Sequence, residues 1–124
     1  MKAWLTVGAI LAGLAVGAGA FGAHALREAV TPRMLEVWQT AVHYQMFHAV
    51  GLFVVALAGG RLAPRAARTA GVAFVVGTIL FSGSLYVLVL TNVKWLGAIT
   101  PLGGLAFLVG WAALAVAALR APAG

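Results

Sequence analysis

Residues 69–92 read TAGVAFVVGTILFSGSLYVLVLTN, twenty-four positions without one Asp, Glu, Lys or Arg. As a helix rising 1.5 Å per residue this stretch is about 36 Å long. That is enough to cross a hydrocarbon core of about 30 Å with modest tilt. Working outward, three further apolar segments stand near 3–23, 36–59 and 96–119. The charges fall in the breaks: Arg27 to Glu36, Arg61 to Arg68, and Lys94.

The whole chain agrees with that stretch. Of 124 residues 64% are apolar and 8% charged, against about a quarter charged in a typical soluble domain. A soluble domain of this size exposes too much surface to hide so many apolar side chains, and a chain this apolar is not disordered. The expected fold is all-α: an integral membrane four-helix bundle, one four-span domain over residues 1–124. There is no cysteine, which excludes a disulfide scaffold, a thiolate metal site and a thiol nucleophile. The net charge of +6 lies at segment ends, where topology and anionic headgroups account for it. Membrane lipids are therefore expected partners and nucleic acid is not.

Lys2, the first apolar segment and Ala18-Gly19-Ala20 imitate a secretory signal with its cleavage site. The apolar stretch is longer than a usual signal core, so it is expected to stay as the first span. With four spans, one side holds Lys2, Arg61, Arg65, Arg68 and Arg120. The other holds Arg27, Arg33 and Lys94 with both acids, Glu28 and Glu36. The excess of basic residues predicts both termini in the cytoplasm, with Arg61, Arg65 and Arg68 forming a loop against anionic lipid. Thr31-Pro32 has the form of a helix N-cap followed by proline at the first helical position, and Thr100-Pro101 repeats it. Glycines such as Gly71, Gly77, Gly103 and Gly110 suit close packing of helices in lipid. Gly13 and Gly17 fit either that role or a face for a second copy.

Polar residues inside spans are costly and therefore informative. On the expected topology, Gln39, His43, Tyr44, Gln45 and His48 of span two lie in the outer half of the bilayer. So do Ser82, Ser84 and Tyr86 of span three, Thr100 opening span four, and His24 closing span one. At 100° per residue, with Gln39 at zero, the polar residues of span two cover an arc of about 240°. Val42, Met46, Ala49 and Phe53 occupy the remainder. Span two is thus expected to be the central and most buried helix, with lipid only on that remaining sector. His24, His48, Ser82, Tyr86 and Thr100 are expected to meet in one polar site.

Chemistry at that site is constrained by what is missing. His43 and His48 are five apart, not the i, i+4 spacing that suits two metal ligands on one helix, so no metal or cofactor is expected. Ser82 and Ser84 could meet a histidine base, but the chain holds no Asp to orient it. Serine hydroxyls in membrane helices more often bond to backbone carbonyls or across helix interfaces. No catalytic residue is assigned, and the protein is expected not to be an enzyme.

Four stretches carry a family resemblance. They are Gly19-Ala20-Phe21-Gly22-Ala23-His24-Ala25-Leu26, and Trp38-Gln39-Thr40-Ala41-Val42-His43-Tyr44-Gln45 with His48. The third is Phe81-Ser82-Gly83-Ser84-Leu85-Tyr86. The fourth is Gly97 with Ile99-Thr100-Pro101-Leu102-Gly103-Gly104, then Gly110-Trp111. Together and in this order they resemble the signatures of the DUF423 family of small membrane proteins, also called UPF0382. The resemblance implies a four-span protein of the bacterial inner membrane, with relatives in eukaryotes and no assigned activity. The function expected from the residues is a binding or assembly module with a polar pocket in the outer half. It would hold a lipid headgroup or small ligand, or join a second copy or a partner membrane protein. A small transporter or proton-conducting element, with His43 and His48 titrating, is the alternative.

Overall fold

The computed structural model describes residues 2–122, which form four helices and no strand. They are α1 (Lys2–Leu26), α2 (Pro32–Arg61), α3 (Pro64–Thr91) and α4 (Lys94–Leu119), each long and apolar enough to span a membrane. The expected boundaries lie within five residues of these limits. The largest shift is at α3, which starts at Pro64 rather than 69, so Arg65 and Arg68 sit on its first turns and not in a loop. Proline sets the helical φ there and needs no hydrogen-bonded N–H.

The cap expected at Thr31 is present: its Oγ1 accepts from Met34 N at 3.2 Å. Thr100 behaves otherwise. A short tight helix over Lys94–Ala98 precedes it, Ile99 takes the cap position, and the Thr100 hydroxyl turns to Ser84. At the end of α3, Asn92 adopts a left-handed conformation (φ 58°) that stops the helix.

Packing is by pairs, α1 against α2 and α3 against α4, with α2 joining the two. Small residues set the close approaches. Trp4 lies over Gly71, Trp38 over Gly22, and Phe74 over Gly110. A Cβ on Gly103 would collide with the backbone of Phe81. Gly13 and Gly17 are different: nothing lies within 4 Å of a Cβ built on either. Their role is not packing within the described bundle.

Helix α2 corrects the sequence analysis in two ways. In its most apolar window 44% of residues are buried, but α3 reaches the same 44%, so the two share the centre. The lipid sector is also displaced. Ala49 is fully buried, and Val42 and Phe53 face α1, touching the positions of Gly19 and Gly8. The exposed face instead carries Phe47, Val50, Val54 and Leu57, with Gln39 and His43 in line above them. Small side chains decided this. Ala41, Ala49, Gly51 and Ala56 admit neighbouring helices closely, whereas the large apolar residues on the other face find their place in lipid.

Two apolar clusters bracket the molecule. Leu52, Val55, Ala70, Phe74 and Ala117 fill the end bearing Lys2 and the arginines of α3. Leu26, Trp38 and Val89 fill the end bearing Glu36. Between them lies a layer of hydrogen-bonded polar side chains.

Candidate functional site

The polar layer is built by reaching across helices. Gln45 of α2 donates from Nε2 to Leu11 O of α1 at 2.7 Å, and its Oε1 accepts from Tyr86 of α3 at 2.8 Å. Ser82, fully buried, donates to Ala41 O of α2 at 2.7 Å. Ser82 can reach because Thr78–Gly83 is a widened π-type stretch inside α3. Such stretches interrupt the regular i→i−4 ladder and recur at functional positions. Trp38 donates to Ala18 O at 2.8 Å, and Ser84 pairs with Thr100 at 2.7 Å.

His48 is the most engaged of the three histidines. Its Nδ1 lies 2.6 Å from Tyr44 O, one turn back. Trp111 of α4 donates from Nε1 to His48 Nε2 at 2.9 Å. An indole N–H can only donate, so Nε2 must be the bare nitrogen and Nδ1 carries the proton. Both bonds together require neutral imidazole. The ring stacks on Phe107, centroids 3.5 Å apart and planes 9° apart, with Phe74 edge-on.

The expected single site therefore divides. Gln45 and Tyr86 form one link, Ser82 a second, His48 a third, and Ser84 with Thr100 a fourth. No buried side-chain nitrogen or oxygen among the described residues lacks a partner. An unpaired polar group in hydrocarbon costs several kcal/mol, about 4–8 on the cyclohexane scale. The layer satisfies itself, and of its members Thr100 also borders a small pocket of about 310 Å³ with Arg33, Glu36 and Thr40. His24 stands apart, exposed in the widened last turn of α1. Gln39 and His43 are also exposed, and neither side chain hydrogen-bonds to another of the described residues. The three histidines do not gather, and no cluster of three metal-ligating side chains exists among the described residues.

Tyr44 is half-exposed and stacks on Phe81 at 4.4 Å. With His48, Phe107, Trp111 and Pro101 these rings border an open groove of about 570 Å³ between α2 and α4. Its walls are aromatic rather than polar. Trp111 and Phe107 were missed as site residues, although Gly110-Trp111 was visible as a motif. A tryptophan within an apolar run gives no sign of where its N–H will point.

These features define a small, polytopic α-helical membrane protein held together by an internal polar layer. The family model described as "Protein of unknown function (DUF423)" matches residues 18–104. The UPF0382 membrane protein YwdK of Bacillus subtilis is 50% identical over 121 residues, 97% of this chain and 98% of that protein. A UPF0382 membrane protein of Staphylococcus epidermidis is 44% identical over 120 residues, 97% and 98% of the two chains. One of Staphylococcus saprophyticus is 41% identical over 120 residues, 97% and 99%. This chain belongs to the DUF423 (UPF0382) family. No solved structure matches it.

Proposed function

We propose that this protein is a non-catalytic assembly module of the bacterial inner membrane, with both termini in the cytoplasm. It joins another membrane helix, from a second copy or a partner protein, through the exposed face of α2. The observation that carries this reading is the pair Gln39 and His43. They lie one helical turn apart, exposed, and without a side-chain hydrogen bond among the described residues. His43 is about 10 Å along the axis from Glu36 at a rise of 1.5 Å per residue, inside the apolar span. Lipid tails offer an imidazole no hydrogen bond, whereas an apposed helix does. Below them Phe47, Val50, Val54 and Leu57 supply an apolar continuation of the same face. Imidazole and carboxamide each donate and accept, so two copies of this face can satisfy each other about a twofold axis.

A transport role draws less support. Both ring nitrogens of His48 are engaged, so a relay through it must break one of its bonds.

The absence of cysteine permits a direct test. Val50→Cys, on the same face with Gln39 and His43 left in place, is expected in native membranes to cross-link into a higher-mass species under mild oxidation or with a short bis-maleimide. Ile79→Cys, exposed on α3, serves as control. A monomeric band for Val50→Cys would exclude a second copy as the occupant, and equal cross-linking at both positions would remove the basis of the proposal.

A further inference from the structure

The end of the bundle that carries the most positive charge also carries an apolar groove. It is a shallow, largely open groove of about 760 Å³ between α3 and α4, on the bundle's lipid-facing side. Arg65, Arg68 and Thr69 stand at its mouth, and Val72, Val76 and Ala106 continue it into the apolar span. From Thr69 to Leu80, which also lines it, the helical rise gives about 16 Å. One leaflet of hydrocarbon is about half of 30 Å, so the groove has the length of a single acyl chain.

Charge selects the headgroup. Arg65 and Arg68 are three residues apart and so share a face of α3, and both are exposed. Both acids of the chain lie at the opposite end of the bundle, Glu28 in the turn between α1 and α2 and Glu36 near the start of α2. The two guanidiniums thus have no carboxylate side chain at their own end of the bundle. The first turn of α3 also lacks a side-chain cap, so its backbone N–H groups add positive potential at the same place. Guanidinium recognises phosphate oxygens bidentately.

We propose that this groove is a binding site for one anionic phospholipid. The phosphate sits on Arg65 and Arg68, and one acyl chain lies along Val72, Val76 and Ala106 between α3 and α4. The surface is separate from the α2 face, and neither reading depends on the other.

Native mass spectrometry of the full chain, purified in detergent, tests this with phosphatidylglycerol and phosphatidylcholine of identical acyl chains. At roughly fivefold per basic side chain near an anionic headgroup, one phosphatidylglycerol is expected to be retained about 30-fold over phosphatidylcholine. Arg65→Gln/Arg68→Gln is expected to abolish the preference, and Arg61→Gln/Arg120→Gln to keep most of it. Ala106→Trp, which fills the apolar part, is expected to weaken retention of both lipids. Photoreactive phosphatidylglycerol with wild-type protein gives a reading independent of that variant's folding. Label should concentrate on Val72, Val76 and Val109 over Ile10 and Leu14, which are exposed on α1. Equal retention of the two lipids by wild type would overturn the site. So would equal losses in the two arginine double variants, label spread over all faces, or a dimer free of lipid occluding α3 and α4.

Discussion

Gln45 ties three helices with one side chain, accepting from Tyr86 on α3 and donating to Leu11 O on α1. The residue is 4% exposed, so neither water nor headgroups can replace those partners. Hydrogen bonds between membrane helices contribute about 0.6 kcal/mol on average and up to about 1.7, because the unfolded chain in lipid also finds partners. Tyr86→Phe and Gln45→Leu should each destabilise the bundle. Their double-mutant cycle, measured by reversible unfolding in bicelles, is expected to give a coupling in that range. A coupling near zero would mean that the two side chains contribute by packing and not by their bond.

The elements are held by where glycine permits contact. On Gly103 a methyl group would meet the backbone of Phe81, in the widened stretch of α3 that a side-chain rotation cannot move. Gly103→Ala is expected to cost about 1–3 kcal/mol, as overpacking does elsewhere. Gly13→Ala adds its methyl to open space on α1 and removes the entropic penalty of glycine in a helix, a gain of up to about 1 kcal/mol. Thermal unfolding of the two variants side by side in one detergent should separate them in that order. Similar melting temperatures would contradict the assigned packing of α4 on α3.

The charge layout of the whole molecule predicts its orientation. Lys2, Arg61, Arg65, Arg68 and Arg120 gather at one end, and Arg27, Arg33 and Lys94 at the other beside Glu28 and Glu36. The positive-inside tendency puts the first end in the cytoplasm. A C-terminal fusion of a reporter active only in the periplasm should therefore stay dark, and one fluorescent only in the cytoplasm should light. The reverse pattern would invert the molecule. It would also place the proposed phospholipid site in the outer leaflet and Gln39 and His43 in the half of the bilayer nearer the cytoplasm.

The four spans and the cap at Thr31 were legible because they depend on composition and local chemistry. Run length decides whether a helix can cross lipid, and Thr-Pro decides where one can start. The partner of each polar group was not legible. At 100° per residue, His43 and His48 of span two both fall in the polar arc, yet His43 faces outward and His48 is buried. Polarity of a residue does not say which face a helix buries. Ala41, Ala49, Gly51 and Ala56 decided that, by letting neighbours approach. The polar site expected from five residues became four separate links because each donor took the nearest acceptor its helix crossing offered, often a backbone carbonyl. Carbonyls occur at every position, so sequence cannot mark the one that will accept. Only the packed helices select Leu11, Ala18 and Ala41 from all the others.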